Sequence, residues 1–403
     1  MSLKAKVVSS GWVIALRAGA ALAAAVGVGR FVFTPILPLM QERAGVTAEL
    51  GAALATSNYL GYMIGAIVMM AVPRWARSAL ALRISICVLV LSLMAMPATE
   101  LPEAWIALRG LAGLASAIMF VVAASVIVHT IPKQSHHLVG WSYGGVGAGI
   151  AISGAVVLMI AQFGDWREAW FASGVLTAIL GAFAWQLVQA EQSEHTSPAH
   201  TEPIHRPHRW FVPLVAAYFL EGVGYIIAGT FLVAAIASSA SGGLGKLSWI
   251  VVGLAAIPSC LGWAWLSKKL AHPTLLTIAL LLQAAGIGLA ALDLGMAGAV
   301  LFGGTFMGIT TLALDAGAHL QVPTAVAILS LVYAVGQTAG PILVAPLLSD
   351  GFHGPLLIAA VIVALAAVST ALIRIRFPAV HRPASESTFE PVTAETVGAG
   401  VNR

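Results

Sequence analysis

The sequence predicts an all-α integral membrane protein: twelve transmembrane helices in two pseudo-symmetric six-helix bundles. Three observations lead there. Hydrophobic residues make up 59% of the 403 and charged residues only 9%, far short of the roughly one quarter that coats a soluble domain, so the expected solvent is lipid. Apolar runs of about 20 residues, the length that crosses a bilayer, recur twelve times between short polar or proline-containing turns. A stretch near the start, GVGRFVFTPILP (Gly27 to Pro38), has a relative in GVGYIIAGTFLV (Gly222 to Val233). Gly27 pairs with Gly222 and Gly29 with Gly224, an offset of 195 residues (222 − 27), close to half the chain.

Taken in order, the spans are expected at Trp12 to Phe33, Leu50 to Val72, Ala79 to Met96, Ala104 to His129, Leu138 to Gln162 and Glu168 to Val188. A polar segment rich in Pro, Ser, Glu and His then reads as a linker, so residues 1–188 form the first bundle and 189–210 the connection. The second set is expected at Phe211 to Ala237, Leu247 to Leu266, Thr274 to Leu292, Gly298 to His319, Thr324 to Leu348 and Pro355 to Ile373. These make a second bundle over 211–377, followed by a polar tail, 378–403, of the composition that stays disordered. The offset persists, since Gly113 in span 4 matches Gly308 in span 10. With six spans each, the halves run in the same direction, a parallel repeat about an axis along the membrane normal.

Basic residues set the orientation. With the N-terminus inside, thirteen Lys and Arg fall on the inner side and only Arg43, Arg167 and Lys246 on the outer side. Both termini are therefore expected in the cytoplasm. The net charge of +4 and pI near 9.2 do not indicate nucleic-acid binding, because the basic residues sit at helix ends and no basic aromatic groove is visible. Cys87 and Cys260 lie in apolar runs and read as packing residues. The start, MSLKAKVVSSGW, is weakly basic and leads into a run long enough to span, which is not the pattern of a cleaved signal peptide.

Arg30 lies inside an apolar run, where an ionisable group faces a partner, a cavity or a substrate. Thr34 is one turn on, and Pro35 and Pro38 end or kink the span. A guanidinium suits bidentate capture of a carboxylate or phosphate; the alternative is a structural arginine bonded to carbonyls or to a neighbouring acid. Glu221 is an acid deep in a span, sharing a helix face with Tyr218 and Tyr225. Burial favours its neutral form, which suits proton coupling; the alternative is an ion pair with Arg30 or Arg109. Tyr225 stands at the repeat position of Arg30, so the duplication is broken there. Asn58 with Tyr62, and Ser330 with Tyr333 and Gln337, form polar stripes that either line a cavity or bond between helices. Asp315 and His319 pair at one turn near the inner end of span 10 and read as a gate or an interfacial pair. Arg17 and Arg83 read as snorkelling residues. His195, His200, His205 and His208 lie in the proline-rich linker, which lacks the fixed geometry a metal needs. No metal, cofactor or catalytic residue is expected, and the GVGAG run in span 5 follows no strand and is no nucleotide loop.

Several strings together resemble the major facilitator superfamily, and within it the YbfB/YjiJ-type bacterial transporters. They are GVGRFVFTPILPLM, SNYLGYMIGA, RGLAGLASA, GWSYGGVGAGIAISG, YFLEGVGYIIAGTFLV and VGQTAGP, in spans 1, 2, 4, 5, 7 and 11. The resemblance implies a secondary transporter of the bacterial cytoplasmic membrane that works by alternating access, with no enzymatic activity. It also implies that Arg109 resembles the span 4 arginine linked to proton transfer. Two departures stand out. The loop after span 2, PRWARSALALR, keeps basic residues without the acidic partner of the usual gating motif. GGVGAGIAISG keeps the glycines of an exporter's span 5 without its proline.

The expected substrate is a small polar or anionic organic solute, because two arginines near one depth favour an anion. Arg30, Thr34, Asn58, Tyr62, Arg109, Tyr218, Tyr225, Tyr333 and Gln337 are the candidate binding residues. Glu221 is the candidate proton-coupling group, and Asp315 and His319 are the candidate gate. The expected partners are the substrate and the bilayer, with no nucleic acid, and the chain is expected to act as a monomer. The rival readings are a proton-antiporting exporter of amphipathic drugs or metabolites and a non-transporting membrane receptor or scaffold.

Overall fold

A computed structural model describes residues 3–131, 136–188, 208–238, 242–267, 269–320, 322, 325–375 and 377. The linker 189–207, with three of its four histidines, and the tail 378–403 lie outside the described residues. Among the described residues the secondary structure is entirely helical. The first span comprises α1 (Leu3–Leu22), a π-helical segment (Ala23–Val28), a turn over 29–32 and α2 (Phe33–Ala44). Spans 2 to 6 are α3 (Ala48–Ala71), α4 (Ala79–Ala95), α5 (Pro102–Thr130), α6 (His136–Ile160) and α7 (Trp166–Ala184). Spans 7 to 12 are α8 (His208–Ser238), α9 (Gly242–Leu266), α10 (His272–Ala291), α11 (Gly295–His319), α12 (Ala325–Val344) and α13 (His353–Ile373). Eleven stretches are long and apolar enough to cross a bilayer, and α7, 19 residues long, makes the twelfth crossing.

Caps start several helices where the sequence provides them. Thr47 and Ser78 accept the N–H of Leu50 and Ala81 at α3 and α4. Asp165 and Glu168 close a reciprocal capping box at α7, satisfying donors that the first turn leaves free.

The duplication is visible in the packing. In the first half α3 packs on α5, α4 on α5 and α7, and α1 on α6. The corresponding pairs in the second half, α9 on α11, α10 on α11 and α13, and α8 on α12, recur. The halves meet through α6 against α9 and α3 against α12, which are one interface under the repeat. They also meet through α2 against α8. There the Thr34 hydroxyl donates to the Gly229 carbonyl at 2.7 Å, across a separation of 195 residues. Two repeat-equivalent positions in contact place the pseudo-twofold axis between them.

The first span departs from its expected end at Phe33, because helix continues to Ala44. Pro35 has no N–H to give to Phe31, four residues back, and the Phe31 carbonyl is instead taken by Thr34 at 3.2 Å. Upstream the chain widens by one residue per turn, with Gly29 N–H on Ala24 at 2.9 Å and Phe31 N–H on Val26 at 3.3 Å. Such π segments interrupt helices at functional positions. The span is thus kinked before its prolines rather than ended by them, and α2 resumes with Pro35 in its first turn, where a missing N–H is harmless.

Glycine permits the close approach of the π-helical segment and α6 at this break. A Cβ on Gly27 would sit 2.6 Å from Gly149 Cα and 2.8 Å from the Val146 carbonyl. Gly27→Val is therefore expected to destabilise the protein by about 1–3 kcal/mol or more, as overpacking does. Gly262→Ala, where nothing lies within 4 Å, should unfold at the wild-type temperature or above. Thermal unfolding of the purified protein, followed by tryptophan fluorescence, compares the two.

Candidate functional site

The break in the first span sets Arg30 where the halves meet. Its side chain is 5% exposed, and one terminal nitrogen donates to Gln337 Oε1 of α12, in the opposite half. Its guanidinium lies 4.2 Å from the centre of the Tyr62 ring and 5.3 Å from the Tyr59 and Phe31 rings. This is cation–π range, an interaction strengthened where water is excluded. Nε has no hydrogen-bond partner. Among the described residues no carboxylate lies within ion-pair distance of Arg30.

Arg109, 1% exposed, is differently placed. It donates to the carbonyls of Gly29 and Arg30, both at 3.2 Å, and lies over the Phe33 and Trp170 rings at 5.0 and 5.5 Å. These are the backbone acceptors that the broken helix leaves free, so Arg109 does for the kink what a cap does for a helix end. Removing it by Arg109→Ala leaves two buried carbonyls bare, at about 1–3 kcal/mol each. A clear fall in unfolding temperature is expected even before transport is measured.

Asn58 is fully buried and donates to the Arg109 carbonyl at 2.9 Å, tying α3 to α5, so the structure assigns it an interhelical bond. Tyr62, one turn on, is half-buried and carries Arg30 over its ring. Thr34 bonds Gly229 on the axis. Next to it the Tyr59 and Thr230 hydroxyls lie 2.9 Å apart. Thr230 also donates to Ile226 at 2.7 Å, so Tyr59 is the donor of that pair.

The second half contributes aromatic rings. Tyr218 stacks on Tyr333 at 4.3 Å and 10°. Tyr225 stands near-parallel to Phe302, Phe306 and Tyr333 at 5.7 to 5.9 Å. Phe31 closes the gap between halves, edge-on to Tyr225, Trp249 and Phe306. The repeat partner of Arg30, Tyr225, thus belongs to the same cluster as Arg30.

Glu221 is 1% exposed, and neither carboxyl oxygen has a hydrogen-bond partner. The Arg30 and Arg109 ion pairs weighed from sequence are not formed. Gln283 of α10 is likewise fully buried, with its amide unpartnered. Asp315 and His319 lie apart from this cluster, toward the end of α11. Asp315 is exposed, while the His319 ring faces His272 at 6.5 Å and Phe377 at 5.5 Å. Arg17 and Arg83 bond the carbonyls of Gln186 and Trp185 just beyond α7. Among the described residues no group of three His, Cys, Asp or Glu is placed to hold a metal.

The sequence reading missed Phe31, Tyr59, Thr230, Phe302, Phe306 and Gln283. Gln283 had a signal, a lone amide in the apolar run of α10; an aromatic ring in a membrane span has none beyond its core-like appearance.

A family model described as an uncharacterised MFS-type transporter, YbfB, matches residues 22–373. The chain belongs to this family of major facilitator transporters. It is a multi-pass membrane protein and a secondary transporter rather than an enzyme, and its natural partners are a small-molecule substrate and the bilayer. The fold agrees with that of a solved nucleoside transporter, NupG, in a point-mutant form. The TM-score is 0.69 at 12% identity, covering 90% of this chain and all of that one. At that identity the likeness shows the fold. No curated protein sequence matches the chain.

Proposed function

We propose that this transporter moves a small polar or anionic organic solute together with protons, by alternating access, in the bacterial cytoplasmic membrane. Both termini face the cytoplasm and the unit is a monomer. The observation that carries the reading is Arg30, a buried cation at the junction of the two halves with no carboxylate counter-ion among the described residues. A buried charge is ordinarily paired, so an anionic substrate supplies what the fold withholds. The site residues proposed from sequence are Tyr62 and Gln337 against Arg30 and Tyr218, Tyr225 and Tyr333 of the ring cluster, with Glu221 as the proton-coupling group. Thr34, Asn58 and Arg109 support them from the backbone side, and Asp315 with His319 remains a proposed gate.

Arg30 also bears on rival substrates. A cationic drug would meet its repulsion, and a neutral nucleoside, which NupG is described as carrying, would leave the charge uncompensated. Alternating access follows from the contacts to be exchanged. Arg30–Gln337, Thr34–Gly229 and Tyr59–Thr230 all cross between the halves, and rocking of one half against the other breaks them together.

The test is uptake into proteoliposomes under an imposed pH gradient, with labelled organic anions. Accumulation that a protonophore collapses is the expected result. Binding of those anions without flux under any gradient would favour the receptor reading instead.

A further inference from the structure

The surroundings of Arg30 constrain the shape of its missing partner as well as its charge. The second buried guanidinium, Arg109, is held by two carbonyl oxygens. Arg30 has one amide oxygen from Gln337 and a bare Nε. A neutral amide oxygen therefore stands at the edge of the guanidinium fork that a carboxylate would fill with a full charge and two parallel bonds. Beside the Gln337 amide and the Glu221 carboxyl, most of the neighbouring side chains are aromatic rings. Tyr218, Tyr333, Tyr225, Phe302 and Phe306 lie within 10 to 23° of parallel in each contacting pair. Tyr62 of the first half, the ring under Arg30, and Tyr333 of the second-half cluster are only half-buried and so have surface left to offer.

Resting on the transporter reading above, we propose that the ligand is a planar aromatic monocarboxylate. Its carboxylate replaces the Gln337 amide oxygen on Arg30, and its ring lies against Tyr62 and Tyr333. Binding then removes a contact that joins the halves and substitutes one through the ligand. Gln337 is the competitor that the ligand displaces.

The experiment uses the purified full-length protein with four probes: benzoate, its neutral amide benzamide, the non-planar cyclohexanecarboxylate, and adenosine. Thermal shift measures binding, because a ligand of the folded state raises its stability. Benzoate is expected to bind about tenfold or more tighter than each of the others. Gln337→Ala, which removes the competitor, should bind benzoate several-fold more tightly. Tyr333→Leu should bring benzoate and cyclohexanecarboxylate to similar affinity. No shift with benzoate overturns the proposal, as does benzamide or cyclohexanecarboxylate binding equally well to the wild type. Uptake in proteoliposomes separates this from the underlying reading. Equal accumulation of cyclohexanecarboxylate and benzoate sinks the aromatic assignment and leaves anion transport standing. Tight, selective benzoate binding without gradient-driven flux supports the assignment and sinks transport.

Discussion

Glu221→Gln is expected to abolish accumulation against a gradient while leaving exchange of labelled for unlabelled substrate close to the wild-type rate. The reasoning starts from the bare carboxyl. Neither oxygen of Glu221 is hydrogen-bonded, and no cation touches it among the described residues. An ionised carboxylate in such a place costs several kcal/mol, so its charge is affordable only when a conformational change admits water or a partner. Proton gain and loss are then tied to the transport cycle, which is what coupling requires. Glutamine keeps the size and fixes the neutral form. The variant can still bring substrate across in either direction, but the pH gradient has no handle on it. Counterflow and pH-driven uptake, measured on the same proteoliposome preparation, check this. Retained pH-driven accumulation in the variant would remove Glu221 from the coupling role. A loss of both activities in a protein that still unfolds cooperatively would place it in substrate binding instead.

Much of the fold was legible because membrane spans leave a coarse signal: length, apolarity and charge at the ends. The repeat was legible through Gly27 and Gly222 because close helix approach tolerates few other residues, and both glycines do pack against a facing backbone. Arg30 and Glu221 stood out as charges where charge is expensive. What could not be read was who meets whom. Arg109 is held by carbonyl oxygens, and backbone acceptors have no sequence signature. Its other feature, a match to a family arginine, pointed to proton transfer, while its contacts describe a brace for the broken first span. The extension of that span to Ala44 was hidden for a related reason. Pro35 and Pro38 allow either an end or a kink, and the choice depends on tertiary support that Arg109 supplies. Tyr59 carries no sequence signal because an aromatic in an apolar run resembles core; its bond to Thr230 exists only once the halves are docked.

Arg30→Ala should eliminate transport while lowering stability only modestly, and the ratio of the two effects is the informative quantity. In the structure Arg30 makes one side-chain hydrogen bond, to Gln337, and its cation–π contacts. Alanine leaves the Gln337 oxygen bare, a cost of about 1–3 kcal/mol, and relieves an uncompensated buried charge, which offsets part of it. In the loaded state the same side chain would hold the substrate anion. Truncating one partner of a desolvated charge pair costs about 2–5 kcal/mol, roughly 30-fold to several-thousand-fold in affinity. Uptake at low substrate concentration should fall by that factor. Arg30→Lys should recover part of it, because the charge returns without the planar fork. Arg109→Ala provides the contrast, with stability falling first and transport falling because the protein unfolds. Unfolding temperature and initial uptake rate, measured for all three variants, distinguish the two arginines. If Arg30→Ala transports at the wild-type rate, the guanidinium is a structural element of the kink and the substrate charge must be met elsewhere.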